Sequence, residues 1–263
     1  MSRRLARILI IAGSDSGGGA GIQADIKTAS AFGCYAMTAI TAITAQNTLG
    51  VHAIHPIPEK IVREQIIACL SDIGADAIKI GMLGSAGVVR TVAETLEKHA
   101  RGIPIVLDPV MVSTGGKRLL AQNAVKTLTR RLFPLASLVT PNIPEAKRLG
   151  GMRGTSSDAA VRAVRKLIAM GAKAALIKGG HATKATIDDV LVWEKGVEIY
   201  AFPRLHTKHT HGTGCTLSTA IACGLAQGLS LPLAVGRARK FVQKAIETAP
   251  GLGKGAGPLN HLK

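Results

Sequence analysis

Residues 209–216 form the segment of this chain that is best suited to hold a phosphate group. They read His-Thr-His-Gly-Thr-Gly-Cys-Thr and lead directly into an apolar stretch with helical character. Gly212, Thr213 and Gly214 can turn backbone N–H groups towards an anion at the positive end of a helix dipole, where they would stabilise a transferring phosphoryl group. At that terminus the dipole should lower the pKa of the Cys215 thiol and favour a thiolate that takes a proton from an attacking hydroxyl. An ordinary glycine-rich turn with a packed cysteine is the alternative.

Two carboxylates and one lysine stand where they could complete such a site. Asp108 ends an apolar stretch, where an unpaired charge would be costly, and Glu145 follows a Thr-Pro-Asn-Ile-Pro turn. Mg²⁺ bound to phosphates commonly uses one or two carboxylates and water, so both are candidate metal ligands. Lys178 ends another apolar stretch, ahead of two glycines, and could reach phosphate. The alternatives are that Asp108 caps a strand end, that Glu145 is a first-turn helix residue, and that Lys178 merely extends from a sheet edge.

A second glycine-rich loop, residues 13–21, follows the first apolar run. Its residues 19–24 fit the G-x-G-x-x-A dinucleotide pattern, but no Asp or Glu occurs between Asp25 and Glu59 to contact a ribose. No Walker A motif is present, because the Gly-Lys pairs of the chain continue with Arg and Gly. We therefore expect phosphate to bind at residues 212–215 and a different ligand to bind at the first loop.

Three side chains are candidates for contacting that other ligand. Gln46 follows an apolar stretch and offers a donor and an acceptor to an amide-like or heteroaromatic edge. Asp25 could hold a hydroxyl or a ring amine, or could simply interact with a helix dipole. Met82 could form an apolar wall or belong to the core.

Short apolar runs and amphipathic stretches alternate along the chain. Strands are predicted at residues 8–12, 36–45, 77–80, 103–107, 138–140, 174–178, 189–193 and 198–202. Helices are predicted at residues 22–32, 58–71, 86–99, 119–131, 157–170, 215–227 and 232–248. Because the strands are almost wholly apolar, we expect a mostly parallel, doubly wound sheet inside a three-layer α/β/α fold. No linker or repeat interrupts this pattern, so residues 1–263 are predicted to form a single domain.

Polar and glycine residues recur where the predicted strands end, as at Gln46, Asp108, Asn142 and Gly180. In open α/β sheets, ligands bind at the carboxyl edge of the strands. The pattern therefore predicts a binding site at that edge.

Composition narrows the class of protein. No apolar run reaches the roughly 18 residues of a membrane span and no signal peptide is recognisable, so a cytoplasmic protein is expected. The four cysteines form no C-x-x-C pair, and the histidines at 52, 55, 99 and 261 are expected at the surface. The net charge of +17 raises nucleic-acid binding as an alternative, but the basic residues are dispersed and only 3% of the chain is aromatic. We therefore expect neither a nucleic-acid nor a membrane partner.

Eight motifs together resemble one family, the hydroxymethylpyrimidine/phosphomethylpyrimidine kinases of thiamine biosynthesis, in the vitamin-kinase branch of the ribokinase-like superfamily. They are IAGSDSGGGAGIQAD (11–25), TAQNT (44–48), IKIGML (78–83), LDPVM (107–111), TPNIPEA (140–146), KGGH (178–181), THGTGCT (210–216) and GPLNH (257–261). The motifs span nearly the whole chain in the family's order.

The resemblance implies a ribokinase-like fold, ATP and Mg²⁺ as cofactors and a homodimer. It implies phosphorylation of 4-amino-5-hydroxymethyl-2-methylpyrimidine and then of its monophosphate. The implied roles are general base for Cys215; pyrimidine pocket for Gly13, Asp25, Gln46, Met82 and Val110; phosphate contact for Asn142, Lys178, Gly180 and Thr213; and Mg²⁺ for Asp108 and Glu145. Lys117 and His209 depart from the family pattern. A pyridoxal or pyridoxine kinase on the same fold is the alternative.

Overall fold

The computed structural model describes residues 5–182 and 185–262. Within these ranges the chain forms nine strands: β1 (Arg7–Asp15), β2 (Tyr35–Asn47), β3 (Gly50–Pro56), β4 (Ala77–Ile80), β5 (Ile105–Leu107), β6 (Leu138–Val139), β7 (Ala175–Ile177), β8 (Thr186–Trp193) and β9 (Gly196–Pro203). They form one sheet in the order β3-β2-β1-β4-β5-β6-β7-β8-β9. The segment from β2 to β7 is parallel, whereas β3, β8 and β9 each pair antiparallel with their inner neighbour.

Helices cover both faces of this sheet. They are α1 (Gly21–Ala31), α2 (Glu59–Ala68), α3 (Ala86–His99), α4 (Ala124–Leu132), α5 (Ile143–Gly150), α6 (Ser157–Ala169), α7 (Thr213–Ala226) and α8 (Leu231–Glu247). Helices α2 to α6 pack on one face around one apolar cluster, and α1, α7 and α8 pack on the other around a second. This is the predicted three-layer α/β/α arrangement, and the prediction is confirmed.

The central strands are mostly apolar because both faces are covered, although β4 carries the buried Lys79. All residues of β4, β5, β6 and β7 are buried, and β1 is buried over most of its length. Burial on both sides explains why their sequences show no alternation of polar and apolar residues. Among the described residues, no helix is both long and apolar enough to cross a membrane.

The sequence prediction missed two elements, β3 and α5, and gave two helices different limits from those in the structure. Strand β3 lies at the sheet edge with mostly exposed side chains, so it has no apolar signature. Helix α5 has only eight residues, with a proline in its first turn. Helix α4 begins at Ala124, not at residue 119, because Leu119 and Leu120 instead donate backbone hydrogen bonds to the Met111 carbonyl oxygen. The predicted helix 58–71 ends its regular part at Ala68 and continues as a π-helical turn to Ile73.

Candidate active site

The start of α7 lies against the first glycine-rich loop. Gly212 precedes the helix with φ of 83°, a left-handed conformation that favours glycine, and a Cβ there would overlap the carbonyl oxygen of Gly19. Thr213 is the first residue of the helix, and its Oγ1 donates to the carbonyl oxygen of Thr210 at 2.7 Å. The structure therefore brings the predicted phosphate loop and the predicted ligand loop into direct contact.

A lysine–aspartate pair stands over this helix start. Lys178 Nζ lies 2.6 Å from Asp108 Oδ1, and Thr140 Oγ1 donates to the same oxygen at 3.1 Å. A Cβ on Gly214 would lie 3.1 Å from Lys178 Nζ and 3.2 Å from Asp108 Oδ2. Burial alone lowers the pKa of Lys178, but Asp108 and Glu145 raise it above its usual value, so the lysine stays charged. The site thus holds a cation and the amide end of a helix side by side.

Glu145 caps α5 and faces the same pair. Its Oε2 accepts from the backbone N–H of Asn142 at 2.9 Å, while Asn142 Oδ1 accepts from the N–H of Glu145 at 2.9 Å, which forms a capping box. Burial, opposed by Lys178 and reinforced by Asp108, raises the pKa of Glu145 to about 7. Glu145 is therefore a first-turn helix residue, as the alternative interpretation predicted, and Asn142 is its reciprocal capping partner.

The carboxylates of Asp108 and Glu145 suit Mg²⁺ as hard oxygen ligands. The pKa of Glu145 is raised chiefly by burial and further by Asp108, and a divalent cation bound beside both carboxylates would favour their ionised forms. Among residues 5–182 and 185–262, no group of three or more His, Cys, Asp or Glu side chains could hold a metal alone. The donor set fits an ion that takes its remaining ligands from phosphates and water.

Cys215 lies in the first turn of α7, where it was predicted, but the predicted direction of its pKa is wrong. Burial raises the pKa of the thiol to about 11; Lys79 and the N–H of Gly21 favour the thiolate, whereas Asp25 and Asp108 oppose it. Desolvation therefore outweighs the favourable charges, which the sequence could not indicate. At neutral pH the side chain is a thiol.

Asp25 is not at a pocket surface in this structure. It is completely buried, with Oδ2 at 2.7 Å from Lys79 Nζ and Oδ1 accepting from Thr219 Oγ1 at 2.7 Å. Burial raises the pKa of Asp25, although Lys79 opposes this. Thr219 lies one helical turn after Cys215, so the ion pair supports the helix that carries the thiol. Each carboxylate oxygen already has one protein partner, and direct contact of Asp25 with substrate stays a prediction.

The remaining candidate residues are four predicted for the substrate (Gly13, Gln46, Met82 and Val110) and Gly180, predicted for phosphate. A Cβ on Gly13 would lie 3.0 Å from Met82 Sδ, so the thioether packs on that glycine. Gln46 Nε2 lies 3.0 Å from His211 Nε2, and both side chains line a cavity of about 230 Å³. Val110 is half-buried and lies two residues after Asp108, beyond Pro109. Gly180 is exposed in the short 3₁₀ turn Gly179–His181, and its carbonyl oxygen accepts from Arg204 at 3.1 Å.

Several residues in this region were not predicted. His211 is buried and lies 2.9 Å from Asp15 Oδ2, and Lys79 is the buried partner of Asp25. The Thr-His-Gly string contained His211, but only tertiary contacts reveal its partners. The prediction that His261 is a surface residue is wrong: it is buried, its Nε2 lies 2.9 Å from Thr216 Oγ1, and burial, reinforced by Lys27, lowers its pKa to about 4.

Residues 255–261 complete one wall of the site. The N–H groups of Gly255 and Ala256 donate to Thr48 at 3.2 and 3.0 Å, and the N–H of His211 donates to the Gly257 carbonyl oxygen at 3.1 Å. Leu259 is buried. This segment is therefore a packed part of the site.

Comparisons with known proteins agree with this geometry. The family model described as phosphomethylpyrimidine kinase matches residues 15–260. The chain is 44% identical to the hydroxymethylpyrimidine/phosphomethylpyrimidine kinase of Bacillus subtilis over 257 residues, which cover 97% of this chain and 94% of that protein. It is 47% identical to the thiamine biosynthesis bifunctional protein ThiED of Geobacter sulfurreducens, where 97% of this chain spans about half (52%) of the relative.

Solved structures include both kinds of vitamin kinase. A phosphomethylpyrimidine kinase from Clostridium difficile superposes with a TM-score of 0.81 at 41% identity, covering 92% of this chain and 99% of that one. An ADP complex of Bacillus subtilis pyridoxal kinase superposes with a TM-score of 0.89 at 35% identity, covering 98% and 97%. By the extent of the family match and by identity over nearly its whole length, the chain belongs to the phosphomethylpyrimidine kinase family.

Proposed function

We propose that this protein transfers the γ-phosphate of ATP to the hydroxymethyl group of 4-amino-5-hydroxymethyl-2-methylpyrimidine and then to the resulting monophosphate. The observation that carries the proposal is the meeting of two loops: Gly212–Cys215, under the Lys178–Asp108 pair, lies directly against the first glycine-rich loop, and the adjacent His211 contacts Gln46. Family membership supports the same reaction.

The start of α7 is proposed to stabilise the transferring phosphoryl group. Backbone N–H groups of Thr213 and Gly214 lie at the positive end of the helix, and Lys178 adds a charge above them. Phosphoryl transfer needs this positioning and charge stabilisation more than covalent chemistry. Asn142 and Gly180 border the same side of the site and are proposed to contact the nucleotide.

Asp108 and Glu145 are proposed to hold Mg²⁺ together with the phosphates. When bound, the ion would neutralise charge on the phosphate oxygens. Its arrival would also favour the ionised form of Glu145, whose pKa of about 7 otherwise leaves the carboxyl partly protonated at neutral pH.

Cys215 is proposed to accept the proton of the attacking hydroxyl. Its thiol pKa of about 11 makes the thiolate a strong base that is scarce at neutral pH. Turnover should therefore rise with pH if the thiolate is the base, because the reactive fraction grows about tenfold per pH unit.

The test is a direct comparison of substrates and of a Cys215→Ala variant. Wild-type protein with ATP and Mg²⁺ should convert the hydroxymethylpyrimidine to its mono- and diphosphate, measured by chromatography. The variant should lose about 10²–10⁴-fold in kcat while the KM for ATP changes little. Near-wild-type turnover would mean that Cys215 only packs in the helix, and no phosphorylation of the pyrimidine by wild-type protein would refute the proposed function.

A pyridoxal kinase activity is the second candidate. The pyridoxal kinase of Bacillus subtilis matches 98% of this chain at a TM-score of 0.89, so the fold suits either ring. Lower sequence identity than to the pyrimidine kinases, 35% against 41–47%, favours the pyrimidine. A strong preference for pyridoxal in the same assay would reverse this order. A single domain, a homodimer and a cytoplasmic location remain predictions, as does the lack of nucleic-acid binding.

A further inference from the structure

A buried histidine joins the two loops of the site beside Gln46. His211 is 8% exposed, and its Nε2 lies 2.9 Å from Asp15 Oδ2 and 3.0 Å from the amide of Gln46. Its Nδ1 lies 3.3 Å from Thr114 Oγ1. Asp15 also accepts three backbone N–H groups from residues 17–20, at 2.8 to 3.1 Å. The imidazole is therefore held from several sides.

The contact with Asp15 determines which ring nitrogen carries a proton. Burial alone would raise the pKa of Asp15, but the hydrogen bonds from His211, Ala20 and Gly17 lower it below its usual value, so the carboxyl is ionised and can only accept. His211 Nε2 must then carry hydrogen, whether the ring is neutral or charged. Any atom of Gln46 that faces this N–H must be an acceptor, which is the carbonyl oxygen of the amide.

A second contact leads independently to the same orientation. Thr44 Oγ1 lies 2.9 Å from the carbonyl oxygen of Ser14 and 3.3 Å from the other end of the Gln46 amide. Its single proton goes to the nearer carbonyl oxygen, so towards Gln46 the hydroxyl accepts and requires the NH₂ group. A half-turn about the terminal torsion of Gln46 exchanges its oxygen and nitrogen and satisfies both neighbours.

We propose that His211 is a positioning residue that sets the orientation of the Gln46 amide and thereby determines which ring edge the pocket accepts. The inference rests on the proposed function, because it assumes that Gln46 contacts a pyrimidine. In the fixed orientation the amide retains one N–H and one lone pair for the ligand. An aminopyrimidine offers the complement, a ring nitrogen that accepts and an exocyclic amine that donates.

The 4-oxo analogue of the same pyrimidine offers the opposite pattern. Its ring N–H donates and its exocyclic oxygen accepts, so it fits only a Gln46 amide turned by half a turn. With His211 in place, that turn would set the Gln46 NH₂ group opposite the His211 N–H, so two donors would face each other and the site should reject the analogue. Without His211 the amide can turn freely and should accept either ring.

The experiment measures kcat/KM for the 4-amino and the 4-oxo pyrimidine in wild-type protein and in His211→Phe, which retains ring size but has no N–H donor. The expected result is that wild-type protein prefers the 4-amino ring and that this preference falls about 10- to 100-fold in the variant, the effect of one or two buried hydrogen bonds. The KM for ATP should change less than about twofold, since the groups proposed to hold phosphate are the backbone N–H groups of Thr213 and Gly214 and not the His211 side chain. His206→Phe, at an exposed histidine between β9 and α7, is the matched control and should retain the wild-type preference.

Two further variants make the result independent of general damage. His211→Gln restores an N–H donor and should recover part of the preference. Gln46→Ala should abolish most of the effect of His211→Phe when the two changes are combined. If His211→Phe does not fold, as judged by its melting curve, Asp15→Asn serves instead, because an amide there no longer fixes the proton on Nε2.

Equal loss of activity on both rings in His211→Phe, or an undiminished effect of that change in the Gln46→Ala background, would overturn the inference while leaving the proposed function intact. If wild-type protein phosphorylates neither pyrimidine, the proposed function fails and the inference fails with it.

Discussion

The buried pair of Asp25 and Lys79 allows a quantitative prediction for Lys79→Met. Both side chains are completely buried, and their charged atoms are 2.7 Å apart. Removing one member of such a pair leaves an uncompensated charge and typically costs about 3–5 kcal/mol. For a chain of this size we expect the melting temperature to fall by roughly 10 °C.

The double variant Lys79→Met/Asp25→Asn separates charge from packing. The asparagine amide can still accept the hydrogen bond from Thr219 Oγ1, which Asp25 receives at 2.7 Å. With no charge left unpaired, most of the lost stability should return, so the double change should cost at most about 1–2 kcal/mol. Urea unfolding of the wild type, both single variants and the double variant measures this cycle.

A coupling energy near zero would refute the reasoning, because it would mean that water or another group already compensates the charges. The same variants also test the predicted substrate contact of Asp25. If the ion pair only supports α7, the folded double variant should keep a KM for the pyrimidine within a few-fold of the wild type. A KM raised a hundredfold or more at normal stability would indicate that Asp25 contacts substrate after all.

Three other predictions concern the phosphate side. Gly214→Ala should lower kcat at least about tenfold, because its Cβ would lie 3.1 Å from Lys178 Nζ. The melting temperature should nevertheless stay level or rise, since alanine favours a helix over glycine by about 1 kcal/mol. A fall in both kcat and melting temperature would contradict this. The wild type should lose stability as the pH rises from 4.5 to about 7, because the Glu145 carboxyl ionises at lower pH in the unfolded chain than in the folded protein. Glu145→Gln should remove this loss and be more stable than the wild type by up to about 3 kcal/mol at pH 8, measured by urea unfolding. A stability difference that does not depend on pH would refute the prediction. The wild-type kcat should increase from pH 7 to 10 because the pKa of Cys215 is about 11, and the Cys215→Ala profile should be flat; identical profiles would exclude the thiolate as base.

The sequence was sufficient for the layers of the fold and for the edge at which the site forms. Buried strands such as β4 and helices such as α3 were predicted to the residue, because burial on both faces and a strong amphipathic pattern are local signals. Strand β3 and helix α5 were missed because an exposed edge and a short capped turn have no such signal.

Most candidate site residues lie near the two loops in the structure and their roles stay predictions, but their electrostatics were not predictable. The pKa of Cys215 depends on burial and on Asp25, Asp108 and Lys79, which come from separate parts of the chain. Likewise, a single sequence could not show that Asp25 is already bound by Lys79 and Thr219. Motifs indicate which residues meet, whereas their protonation depends on the environment that the whole fold creates.

The wall formed by residues 255–261 has a consequence for protein synthesis. His211, which contacts Asp15 and Gln46, is itself held by a backbone hydrogen bond to Gly257, and Thr216 of α7 is bonded to His261. Ribosomes make these residues after every strand and helix of the fold. A nascent chain can therefore bury most of its core on the ribosome while its catalytic pocket stays unfinished, so ATP consumption should begin only after that segment has left the exit tunnel.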